Sequence, residues 1–163
     1  MKRLIVIGTA VLALGLGVPA SGQTVDLKTL QSAKITLERA LDIAEKHGKP
    51  ISARFEIEDG KLQLSVYTAK GGKFFEVIVD HKSGKVAKAT PITEGEDLKA
   101  AQAQNAAMHR AKRSLEAATK KAVKDNAGSR AVSVVPSIDA GRAVVPVELA
   151  GTKGAQTVSE SLQ

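Results

Sequence analysis

The chain contains no cysteine and no tryptophan. Without cysteine, disulfides, thiolate metal sites and cysteine nucleophiles are excluded. Aromatic residues make up only 2% of the 163 residues, namely Phe55, Tyr67, Phe74 and Phe75, and all four lie in the first half. The core of the second half must therefore be assembled from Ala, Val, Ile and Leu, which predicts the less stable half. Few aromatics also leave nucleic-acid bases little to stack on. The formal charge is +7. Because the basic residues are spread over helices and turns, this excess reads as a solvated surface, and no nucleic-acid partner is expected. With 43% apolar and 25% charged residues, the composition is that of a folded soluble protein.

A long apolar run occurs at the N-terminus alone. Met1-Lys2-Arg3 is followed by the run Leu4 to Val18 and then by Pro19-Ala20-Ser21-Gly22. A basic start, an apolar stretch and small residues form the layout of a secretory signal. Cleavage after Ala20 and cleavage after Gly22 both satisfy it. The run is short for a span of about 20 apolar residues. Residues 1–22 are therefore expected to be a cleaved signal peptide, leaving no stable membrane anchor, with the mature chain periplasmic or secreted. Loss of Lys2 and Arg3 leaves 22 basic against 17 acidic residues.

The rest is organised around Asp59 to Val86. Three glycine turns, Asp59-Gly60, Gly71-Gly72 and Ser83-Gly84, bracket two alternating runs. Leu62, Leu64 and Val66 alternate with polar residues, and Phe75, Val77 and Val79 define the next buried face. Ile51, Ala53, Phe55 and Ile57 give a strand before them, and Lys85 to Ile92 a weaker one after. Upstream, Thr36 is a helix N-cap, and Leu37, Ala40, Leu41, Ile43 and Ala44 form an apolar stripe. Gly48 and Pro50 end that helix. Residues 24–93 thus predict one helix laid on a four-stranded antiparallel meander.

Residues 94–163 repeat the pattern in shortened form. Thr36-Leu37-Glu38 and Ser114-Leu115-Glu116 match, as do Ala40 with Ala118 and Ala44 with Ala122. Gly60-Lys61 corresponds to Gly141-Arg142, and Leu64-Ser65-Val66 to Val145-Pro146-Val147. The predicted architecture is α+β, with tandem units that each pack one helix on an antiparallel meander; the second lacks the last strand. Glu94 to Asn126 reads as one long helix with a break or kink at Ser114. Pro136 and Pro146 mark edges or bulges of the second sheet.

No catalytic constellation accompanies this scaffold. His47, His81 and His109 are not at metal-ligand spacing, and no nucleophile elbow is present. No catalytic residue, metal site or cofactor is expected. Glu56, Glu58, Asp59 and Glu76 can gather on the first three strands, where the wet face of a sheet accounts for them. If Val77 and Val79 face the helix, then Tyr67, Phe74 and Ile78 face away. Three large apolar side chains on an outer face call for a cover. That cover is either the second unit or a protein partner anchored on these three residues.

The run Leu37-Glu38-x-Ala40-x-x-x-Ala44, the turn Asp59-Gly60-Lys61, and the segment Phe75-Glu76-Val77-x-Val79-Asp80-x-x-Ser83-Gly84-Lys85-Val86 resemble a PepSY domain over about Thr36 to Ile92. The resemblance implies an exported, non-enzymatic module that binds a protein partner and inhibits or restrains a peptidase or another envelope protein. It also implies structural roles for the turn residues Asp80, Ser83 and Gly84 beside Asp59, Gly60, Gly71 and Gly72. A periplasmic module that senses a small ligand or cation is the alternative.

Overall fold

The computed structural model describes residues 25–163. The expected signal segment, 1–22, lies outside the described residues. The alternating runs form β1 (Lys49–Glu58), β2 (Lys61–Lys70), β3 (Lys73–Val79) and β4 (Val86–Ile92), an antiparallel meander. The Gly71-Gly72 turn sets Lys70 opposite Lys73. The second half supplies β5 (Ser129–Val134), β6 (Ser137–Asp139), β7 (Arg142–Gly151) and β8 (Gly154–Ser161). The architecture is α+β.

The two runs of strands do not make separate sheets. β1 pairs antiparallel with β5 through Ala53 opposite Val134 and Arg54 opposite Ser133. One eight-stranded sheet results, in the order β4-β3-β2-β1-β5-β7, with β6 and β8 also on β7. By register, β5 and β6 are two pieces of one strand along the same edge of β7, and β8 lies on its other edge. Pro136 falls in the break between β5 and β6. Pro146 lies on β7 opposite that break, between the partnered positions Val144 and Val147. The prolines therefore interrupt an inner ladder where no donor is demanded, and do not mark an outer edge.

Among the described residues, four α-helices flank the sheet: α1 (Leu27–Leu30), α2 (Leu37–Ala44), α3 (Gly95–Arg110) and α4 (Leu115–Asp125). The Thr36 hydroxyl accepts from Arg39 N, and α2 buries Leu37, Ala40, Leu41 and Ala44. The break or kink expected at Ser114 within 94–126 is a complete break between two helices. Ala111 is extended, Lys112 N and Arg113 N donate to Leu162 O at 2.7 and 3.1 Å, and the Ser114 hydroxyl caps α4. These bonds give the backbone partners outside a helix, so the chain turns there. It passes round the end of the sheet: α4 packs beside α2, while α3 crosses the opposite face over β1, β2, β6 and β7.

That crossing explains β2. Leu64, Ser65, Val66, Tyr67 and Thr68 are all buried, one after another. Successive strand residues point to opposite faces, so this requires cover on both sides. Leu64 and Val66 lie on the α2 face with Val77 and Val79, all completely or nearly completely buried. Phe75 shares their face and is half-buried.

Candidate functional site

The turn after β3 is built by one carboxylate. Asp80 Oδ1 accepts from Lys82 N and Ser83 N, both at 2.8 Å, and Asp80 O accepts from Gly84 N. Those backbone donors hold the Asp80 carboxyl below its usual range. Gly84 has φ of 73°, and a Cβ there would stand 3.0 Å from Ile35 Cδ1. Glycine is needed for both conformation and space. The neighbouring His81 carbonyl accepts from Lys34 N and Ile35 N, fastening this turn to the entry of α2. The other turn glycines serve hairpins: Asp59 and Gly60 have φ of 48° and 73°, and Gly71 and Gly72 of 58° and 75°.

The outer face of the first four strands holds a linked polar group. Ser65 Oγ donates to Glu56 Oε1 at 2.8 Å, and Gln63 Nε2 donates to Ser65 Oγ at 3.1 Å. The Arg54 guanidinium lies 4.0 Å from Glu56 Oε2 and 5.8 Å from the centre of the Tyr67 ring. Tyr67 donates its hydroxyl proton to Asp97 Oδ1 at 3.0 Å. Burial first, then Asp97, pushes the Tyr67 hydroxyl well above its usual range. Burial also raises Glu76; the Ser65 hydroxyl opposes that rise, while Glu56 and Asp97 add to it. Of the four carboxylates suggested by the sequence, Glu56 and Glu76 meet here, whereas Glu58 and Asp59 sit at the exposed hairpin tip. Among the described residues, no group of three or more His, Asp or Glu is arranged to hold a metal ion.

The three outward apolar residues part company. Tyr67 is 7% and Phe74 8% exposed, so neither offers a free anchor. The main cover of this face is α3 of the same chain, tied down by Tyr67–Asp97, by Ser52 Oγ donating to Gln104 Oε1 at 2.8 Å, and by Lys49 Nζ donating to Met108 O at 3.2 Å. Ile78 is half-buried, on a strip beyond the main contacts of α3. The strip runs along β3 and β4, where Ile78 faces Lys88, Glu76 faces Thr90, and Phe74 faces Ile92. Arg54, Ser65 and Asp97 were invisible as a group in the sequence. Their one signal was that polar residues alternate with Phe55 and Val66, which marks an outer face without naming its cover.

The PepSY family, described as peptidase propeptide and YPEB domain, matches residues 34–90. Residues 34–90 are a PepSY domain. Its matched part runs from the α2 entry through β4 and includes the Asp80–Gly84 turn. A candidate lipoprotein from Clostridium difficile 630, known from its crystal structure, is similar to the chain with a TM-score of 0.46 and 11% identity. The alignment covers 83% of this chain and 91% of that one. No curated protein matches. No helix among the described residues is long and apolar enough to cross a membrane.

Proposed function

We propose that this is an exported, non-enzymatic PepSY protein that restrains an envelope peptidase, or another envelope protein, by covering part of its surface. The observation that carries this reading is the PepSY match to a helix-on-meander whose outer strip, along β3 and β4, lies beyond the main contacts of α3. Ile78 is the apolar centre of that strip, with Lys88 and Thr90 as its polar border. Tyr67 and Phe74 support it from beneath. Residues 94–163 are, in this reading, a shortened second PepSY-like unit fused edge to edge with the first, and residues 1–22 are the export signal.

The test is titration of the purified protein into thermolysin-type peptidases, reading cleavage of a fluorogenic peptide. Saturable inhibition is expected. Ile78→Asp should weaken it by about tenfold or more, the loss of an anchor worth about 1.4 kcal/mol, with thermal unfolding little changed. No complex with any peptidase, together with stabilisation by an added cation, would replace this reading with the sensing one.

A further inference from the structure

We propose that β8 is a self-association edge: two copies pair β8 with β8 antiparallel about a twofold axis at Thr157. Among the described residues β8 pairs with β7 alone, whereas β3, the third strand of the first meander, is closed by β4. Gly151 opposite Gly154 closes a two-residue hairpin. The closing pair of such a hairpin bonds inward, so Ala155, Thr157 and Ser159 turn their N–H and C=O groups outward. All three are exposed.

The two sheet edges are unequally protected. β4 carries Lys88, Pro91 and a register shift opposite Ile78 and Val79, all features that discourage added strands. β8 has no proline, no lysine and no register shift against β7. Its one charge, Glu160, is 9% exposed and held by Lys121 Nζ at 3.2 Å.

The occupant is a second copy because the strand is complementary to itself. An axis at Thr157 sets Ala155 opposite Ser159 of the other copy and Glu160 opposite Gly154. Every outward group finds a partner, and no like charges face each other. The chain already joins two of its own strands edge to edge in this manner, β1 to β5. With β4 guarded, the association closes as a dimer and does not run on into a fibre.

The test uses the cysteine-free background. Paired Cα atoms in such a bonded pair stand about 5.5 Å apart, within disulfide reach. Thr157→Cys should give a disulfide-linked dimer on mild oxidation. Ala155→Cys and Ser159→Cys should cross-link when mixed and far less when alone. Thr157→Pro, which deletes an outward N–H, should shift the sedimenting species from dimer to monomer with circular dichroism unchanged. A protein that sediments as a monomer at every concentration would overturn the proposal. So would cross-linking at Thr157→Cys no faster than at Ala106→Cys on the exposed side of α3.

Discussion

Strands β2 and β7 each follow the same kind of hairpin. Asp59 and Gly60 precede β2 with φ of 48° and 73°, and Ala140 and Gly141 precede β7 with φ of 45° and 79°. What the strands carry differs. β2 buries five residues in succession, including Tyr67 and Thr68, while β7 keeps Glu148 exposed between the buried Val147 and Leu149. Counting from each hairpin, Thr68 stands where the second half has Leu149. Among the described residues, the buried Thr68 hydroxyl has no hydrogen-bond partner. Strand β2 is thus sealed on both faces, and its half continues through β3 to β4 and holds all four aromatics. The second half relies on small aliphatics and leaves β8 open. The halves therefore differ in kind: a polar-linked outer face in the first, and in the second an end strand, β8, that pairs with β7 alone among the described residues.

Core truncation should break the comparison most severely. Leu64→Ala, at a fully buried site, should cost about 2–5 kcal/mol in urea unfolding. Val145→Ala, at the matching place on β7, should cost less because fewer carbons leave the core. A larger loss at Val145 would invert the ranking of the halves. Next comes the tie between them. Arg130 on β5 donates to Leu30 O and Ile35 O, across to the entry of α2. Arg130→Ala should cost about 1.5–3 kcal/mol, the range for charged hydrogen bonds, and should loosen the first half although the residue lies in the second. Amide exchange around Ile35 would show it.

Making the halves more alike should be stabilising. Thr68→Val removes the orphan hydroxyl at nearly constant shape and should gain roughly 1 kcal/mol, read as a raised Tm. The smallest effect is a pH profile. The folded state raises the Glu76 carboxyl above its usual 4.5, so the folded chain binds the proton more tightly than the unfolded chain does. Its contribution therefore falls as pH rises from 4.5 through the raised value, then levels. Glu76→Gln should remove that descent. Asp80 acts in the opposite sense: its lowered carboxyl favours folding above the usual 3.8, and that support is lost as pH falls through the lower folded value.

Local chemistry was legible in the sequence, and long-range pairing was not. Thr36 and Ser114 announced helix starts, and Gly71-Gly72 announced a hairpin, because each acts on residues two or three positions away. The alternation of Val77 and Val79 gave the buried face of β3. Nothing local could report that β1 meets β5, since Ala53 and Val134 are ordinary strand residues whose pairing depends on the whole sheet. The Ala-rich stretch from Gly95 to Asp125 suits a helix on either face, so periodicity could not place α3 opposite α4. Leu162, the residue that receives the turn between those helices, lies about fifty positions later. The polar group around Tyr67 was obscured for the same reason. Its members come from β1, β2, β3 and α3, and only the folded sheet brings them together.

If α3 belongs to the fold, the β3–β4 strip is the part of the outer face left for the proposed contact. Native-state hydrogen exchange in low urea tests this at the amides of Ala101, Gln104 and Ala107 against those of Leu64, Val66 and Thr68. Both sets should open together, at the free energy of global unfolding. Opening of α3 at a distinctly lower free energy, with β2 still protected, would contradict it: α3 would then be a lid, and Tyr67 and Phe74 the anchors a partner finds beneath.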